Sequence, residues 1–210
     1  RFSHYKQEAF DPNSLNNNQI YAFYEDENGL IWIGTDGGGF NVYDPVTRRY
    51  TAYHNNSLEL STNPIYNRIR VITKDRKGIF WIGTYGGGIA KFDPKKKQFI
   101  GTLLDPRISS NPDQGRVWCL HEDQAGNMWI GSDGGLAIVP AGSEQTIVYK
   151  HDDKDSTSVS HNDVVSMFED RDGAMWLGTW GGGLDKVIFS KGSRRIESLK
   201  FTAYQYDPFN

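Results

Sequence analysis

The chain is poor in cysteine, has no excess of positive charge and contains no long apolar run, and each absence excludes something. Cys119 is the one cysteine in 210 residues, so no intrachain disulfide can form. Set inside an apolar stretch, it reads as a small core residue and does not discriminate between compartments. The histidines (His4, His54, His121, His151 and His161) show no metal-ligand spacing, which together with a single cysteine argues against a zinc site.

Basic residues number 23 and acidic residues 26, a formal charge of −3, so the segment carries no electrostatic footprint for nucleic acid. The only basic run, Lys95-Lys96-Lys97, falls where a turn is expected and reads as solvated. No stretch approaches the ~20 apolar residues needed to cross a bilayer. There is no signal-peptide pattern and the chain opens on Arg1, so it reads as a segment of something longer, with any membrane attachment lying in other parts of the parent. Neither a Gly-x-Ser-x-Gly elbow nor a phosphate loop is present, and no cofactor is indicated. Asp152-Asp-Lys-Asp155 and Asp170-Arg-Asp-Gly173 lack the twelve-residue calcium pattern ending in Glu.

What is abundant is glycine, 23 residues, and aromatics, 13% of the chain. Many short strands joined by glycine-rich turns have this composition. Periodicity makes the reading specific. Trp32, Trp81, Trp129 and Trp176 follow one another at 49, 48 and 47 residues. Each sits in a block of the form Asp-x-x-Gly-x-x-Trp-Ile/Leu-Gly-Thr/Ser-x-Gly-Gly, beginning at Asp26, Asp75, Asp123 and Asp170.

Each copy predicts four strands. The first is an apolar run: Ile20–Tyr24, Ile69–Thr73, Val117–His121 and Val164–Phe168. Asp-x-x-Gly is hairpin chemistry, with Asp capping the turn and Gly taking the left-handed conformation. The Trp-Ile-Gly-Thr strand places Trp and Gly on one face, and Gly34, Gly83, Gly131 and Gly178 leave room for a large ring or a neighbouring sheet. The glycine cluster turns the second hairpin, and a third strand follows at Phe40–Tyr43, Ile89–Phe92, Leu136–Val139 and Leu184–Val187. An aromatic-x-x-Tyr edge strand closes the unit at Tyr50–Tyr53 and Phe201–Tyr204. Four-stranded units of this length in tandem predict an all-β fold, a β-propeller of antiparallel blades.

The blades are expected at about 16–54, 64–104, 113–150 and 160–206, within one propeller segment spanning 1–210. Phe2-Ser-His-Tyr5 matches the edge pattern, so residues 1–7 are expected as the outer strand of a preceding blade. Asp207-Pro-Phe-Asn210 resembles Asp11-Pro-Asn at the front, where a next repeat would begin. Closure of four blades, completion by a dimer and membership of a larger ring all remain open.

These blocks resemble the two-component regulator propeller repeat, whose pattern is approximately Asp-x-x-Gly-x-x-Trp-Ile-Gly-Thr-x-Gly-Gly-Gly-Leu followed by Tyr/Phe-Asp. The third copy departs from it, with one glycine fewer in Gly131–Gly135 and Pro140-Ala-Gly142 in place of Tyr-Asp-Pro. The fourth has a longer outer connection, from Phe189 to Glu197. The resemblance implies the periplasmic sensor region of a membrane-bound hybrid sensor kinase of Bacteroidetes, detecting glycans or their fragments to control polysaccharide-use genes. The kinase would lie in parts absent from this chain, which is itself expected to be no enzyme.

Positions that vary within otherwise uniform copies are the ligand-binding candidates. The residue before Gly-Gly is Asp36, Tyr85, Asp133 or Trp180. Ahead of the inner strand stand Gln19, Arg68, Arg116 and Asp163, and two residues further on come Tyr21, Arg70 and Trp118, with Val165 in the fourth copy. Aromatic faces beside carboxylates and guanidiniums suit a small-molecule or oligosaccharide ligand, by stacking and bidentate hydrogen bonding. Alternatives are a propeller-fold polysaccharide lyase or hydrolase, needing two converging carboxylates, and an interaction or self-association module without a small ligand.

Overall fold

The computed structural model describes residues 2–53, 67–103, 115–189 and 195–206. The chain divides into two compact units, Arg1–Leu104 and Asp105–Asn210. All sixteen strands assigned are antiparallel to their partners within four four-stranded sheets. In the first unit, β1 (Ile20–Glu25), β2 (Ile31–Thr35), β3 (Phe40–Asp44) and β4 (Arg49–Tyr53) form one sheet, and β5 (Ile69–Lys74), β6 (Phe80–Gly86), β7 (Ile89–Asp93) and β8 (Gln98–Leu103) a second. In the second unit, β9 (Gly115–Glu122), β10 (Met128–Ser132), β11 (Gly135–Val139) and β12 (Ile147–Tyr149) precede β13 (Val164–Glu169), β14 (Met175–Thr179), β15 (Gly183–Ile188) and β16 (Lys200–Tyr204).

The first hairpin of every sheet is built by its aspartate. Asp26 Oδ1 accepts the Asn28 and Leu30 amides while Oδ2 accepts the Trp32 indole N–H at 2.9 Å. Asp75, Asp123 and Asp170 repeat the arrangement with Trp81, Trp129 and Trp176. The turn closes because Gly29, Gly78, Gly126 and Gly173 hold φ between 75° and 86°, a region that penalises a Cβ. In the glycine triplets the ends and the middle serve different needs. Gly181 and Gly183 have φ of 92° and 90°, whereas a Cβ on Gly182 would collide with Ser160 Oγ and Thr179 Oγ1.

Each unit has its own core between two sheets. The Trp-bearing face of the first sheet (Ala22, Trp32, Phe40 and Val42) packs on the opposite face of the second (Ile69, Ile72, Phe80, Ile82, Ala90 and Phe92). In the second unit Trp129, Leu136 and Ile138 pack on Val164, Met175, Leu177, Val187 and Phe201 in the same way. Phe40, Phe80 and Phe92 are fully buried, each contributing about 1.5–3 kcal/mol. Two of the strand-two glycines admit the next sheet: a Cβ on Gly34 would lie 2.5 Å from Ile69 Cγ2, and one on Gly131 2.5 Å from the Val164 carbonyl as well as 2.4 Å from Cys119 Sγ of its own sheet. Burial pushes the Cys119 thiol up to about 12.

Residues 2–7 join no ladder among the described residues; Phe2 is exposed, and Tyr5 packs on the Tyr43 ring at 5.3 Å. An edge pattern makes a strand only where a sheet offers its backbone. The aromatic-x-x-Tyr motif is also no requirement for an outer strand, because β8 and β12 pair with their neighbours without it. Asp207-Pro-Phe-Asn210 lies outside the described residues.

Candidate functional site

The three sets of variable positions turn out to be one local structure. In every sheet the residue before Gly-Gly donates its amide to the carbonyl of the residue ahead of the inner strand. Asp36 bonds Gln19 at 2.9 Å, Tyr85 bonds Arg68 at 2.8 Å, Asp133 bonds Arg116 at 3.2 Å and Trp180 bonds Asp163 at 2.9 Å. One uniform backbone bond therefore presents two non-uniform side chains.

The third set falls on a β-bulge. The register passes from Ile20↔Thr35 to Ala22↔Gly34, leaving Tyr21 unpaired. Arg70, Trp118 and Val165 are skipped in the same way in the other three sheets. A bulge adds one residue to the strand and re-aims its side chain. Nothing in the residue types of the strand signals it; in all four copies the bulge lies opposite the glycine two residues after Trp and the residue that follows it.

In the first unit the structure brings five candidates together. Arg68 Nε donates to Asp36 Oδ1 at 2.5 Å and its Nη2 reaches Oδ2 at 3.4 Å, a fork joining the β2–β3 hairpin to the residue before β5. The bond to Asp36 raises the Arg68 pKa further. The Arg68 guanidinium stands 4.3 Å from the Tyr85 ring centroid, and that of Arg70 stands 3.7 Å from Tyr21 and 4.7 Å from Tyr85. Tyr21, Asp36, Arg68, Arg70 and Tyr85 thus form a continuous strip of two aromatic faces and two cations, one cation already neutralised. Arg70 Nε is buried and has no hydrogen-bond partner among the described residues. Gln19 enters only through its carbonyl.

In the second unit the candidates are less gathered. The Arg116 amide donates to Asp133 Oδ1 at 3.3 Å, returning the bond that Asp133 makes to the Arg116 carbonyl. Burial raises the Asp133 pKa and the charge of Asp163 adds to it, against the opposing Arg116 contacts. The Asp163 amide donates to His161 Nδ1 at 3.0 Å, a neighbour the sequence reading did not single out. Trp180 is 71% exposed, while Trp118 Nε1 and Arg116 Nε are buried.

The repeated hairpin and bulge agree with a known pattern. The family described as two component regulator propeller matches residues 14–37, 63–86, 111–134 and 158–181. The chain is built of two component regulator propeller repeats. These regulator propeller repeats make the four sheets blades of an all-β propeller fold. Among solved structures, the extracellular domain of a hybrid two component system from B. thetaiotaomicron is 30% identical, with a TM-score of 0.67 over 87% of this chain and 22% of its own. A second extracellular domain from that organism shares the fold at 20% identity and a TM-score of 0.67, over 93% of this chain and 23% of its own. Virginiamycin B lyase from Staphylococcus aureus also shares the fold, at 15% identity and a TM-score of 0.64, covering 93% of this chain and 59% of that one. The chain therefore spans 22% and 23% of the length of the two B. thetaiotaomicron domains. No curated protein matches it.

Proposed function

We propose that the chain is an extracytoplasmic ligand-sensing propeller domain of a two-component signalling protein, taking a carbohydrate-derived or similar small ligand on the strip formed by Tyr21, Arg70, Tyr85 and Arg68. The observation that carries this reading is the bulge. The re-aimed residue differs in every copy, Tyr21, Arg70, Trp118 and Val165, and in the first unit it delivers a cation against two aromatic faces. Rings of this kind stack on sugar faces, and a guanidinium binds vicinal oxygens or a carboxylate. The similarity to extracellular domains of two component systems supports the location and the sensing role. Signalling output belongs to the parent protein.

The domain is read as non-catalytic. The four hairpin aspartates spend their oxygens on turn amides and indole N–H groups. Calorimetric titration of the chain with a panel of neutral and uronic-acid oligosaccharides tests the proposal. Saturable heat without product is the expected result, and turnover of any member overturns it.

One observation favours a second reading, self-association through a blade face. The Trp-bearing face of the fourth blade exposes Phe168 at 64%, Tyr204 at 52% and Leu184 at 43%, and apolar patches of this kind mark interaction surfaces. Light scattering that doubles the mass with concentration, with no ligand-induced shift in melting, would favour it.

A further inference from the structure

Trp32 and Trp129 hold the same position in their copies, yet the space beside them differs. Beside Trp129 lie residues from both ends of the β15–β16 connection. Phe189 meets the indole edge-on at 6.5 Å, and Ile196 and Leu199 are buried in the same cluster. Tyr149 fixes this plug, donating its hydroxyl to the Ile196 carbonyl at 2.5 Å and accepting the Leu199 amide at 3.1 Å. About 10 Å³ of free space remains there, too little to hold a water securely.

In the first unit the residue in the place of Phe189 is Pro94, and the β7–β8 connection is a tight turn that sends nothing back. A cleft of about 320 Å³ stays open, walled by Trp32, Val42 and Tyr53 and rimmed by Thr51, Arg49 and Lys97. That volume lies at the small end of ligand sites. Tyr53, the counterpart of Tyr149, makes ring contacts but no hydroxyl hydrogen bond among the described residues. Arg49 and Lys97 form no ion pair among the described residues. The nearby Asp44 carboxylate is committed to the Val46 and Thr47 amides and the Thr47 hydroxyl, and these hold its pKa below the ordinary value. One acid against two bases leaves the rim with one positive charge in excess.

We infer that this cleft is a second binding site, for a compact ring bearing a single carboxylate, either a uronic acid or an aromatic acid. The ring lies against Tyr53 at the mouth above the buried Trp32, the Tyr53 hydroxyl meets a ring substituent, and the carboxylate is held by Arg49 and Lys97. The site uses β3, β4 and the β7–β8 turn, so it is independent of the Tyr21–Arg70 strip.

The test is calorimetry of the whole chain with galacturonate and benzoate, against galactose and benzyl alcohol as neutral analogues. At least one acid binds saturably, and its neutral analogue binds roughly tenfold more weakly or not at all. Whichever acid binds identifies the source. Arg49→Ala and Lys97→Ala each weaken binding several-fold and Thr51→Trp, which fills the cleft, abolishes it. All three cleft positions are exposed, so melting without ligand stays as in the wild type. The inference is overturned if neither acid saturates, if the neutral analogues bind equally well, or if binding survives the double Arg49/Lys97 replacement.

Discussion

Trp129 donates its indole N–H to Asp123 Oδ2 at 2.8 Å, six residues back across the Asp-x-x-Gly turn, and both residues are buried. The same carboxylate caps the amides of Ala125 and Asn127 and accepts the Asn127 side chain. Asp123→Ala would strand a buried indole N–H and uncap the turn. A loss of about 2–4 kcal/mol in urea unfolding is expected, since hydrogen bonds to a charged group are worth roughly 1.5–3 kcal/mol and an orphaned donor adds its desolvation. A loss below about 0.5 kcal/mol, within the range of ordinary surface substitutions, would contradict this role.

Glycine at the second position after Trp is there for space. Gly131→Ala would press a methyl against Cys119 Sγ and the Val164 carbonyl, at 2.4 and 2.5 Å, and backbone cannot yield as a flexible side chain can. Overpacking of this kind costs about 1–3 kcal/mol. Gly101→Ala meets nothing within 4 Å and has no positive φ, so it should be neutral or stabilising by up to about 1 kcal/mol. Thermal melts of the two variants should move in opposite directions, or the first alone should fall.

How much was legible in the sequence follows from this. Strand order, turn positions and the glycine role were readable because Asp26, Gly29, Trp32 and Gly34 recur in register three more times. The candidate positions were readable as exceptions to that recurrence. Their convergence was not: the bulge at Tyr21 and Arg70 is a property of hydrogen-bond register, and the Arg70–Tyr21 contact joins two copies 49 residues apart. The Trp32 cleft was equally hidden, since it depends on what the Pro94 turn fails to return.

Asp185 is a fully buried carboxylate whose Oδ2 accepts the Ser160 amide while Oδ1 has no hydrogen-bond partner among the described residues. Burial raises its pKa above the ordinary 3.8, with the Ser160 bonds opposing. A raised acid pKa favours the protonated form in the folded state, so its penalty appears as pH rises through 3.8 and is complete above the folded value. Asp185→Asn, which reproduces Asn41 of the first copy, should therefore melt higher than wild type at pH 7, with the difference shrinking below pH 4. A variant that melts lower at pH 7 would contradict this assignment.

The strip's own architecture gives a stability control. The Asp36–Arg68 fork is partly exposed, with side chains 15% and 32% accessible. Asp36→Asn should cost no more than about 1 kcal/mol in urea unfolding, leaving the blade folded for binding studies. A larger loss would mean that the fork holds the hairpin rather than the ligand strip.

The central claim is that the bulged residues form a ligand surface. The direct measurement is calorimetric affinity for the oligosaccharide panel, compared between the wild-type chain, Arg70→Ala and Asp36→Asn, with melting temperatures recorded for each. The account predicts saturable binding to at least one member, weakened about tenfold or more by Arg70→Ala at an unchanged melting temperature. Undiminished binding in Arg70→Ala, or none to any member in the wild type, would contradict it.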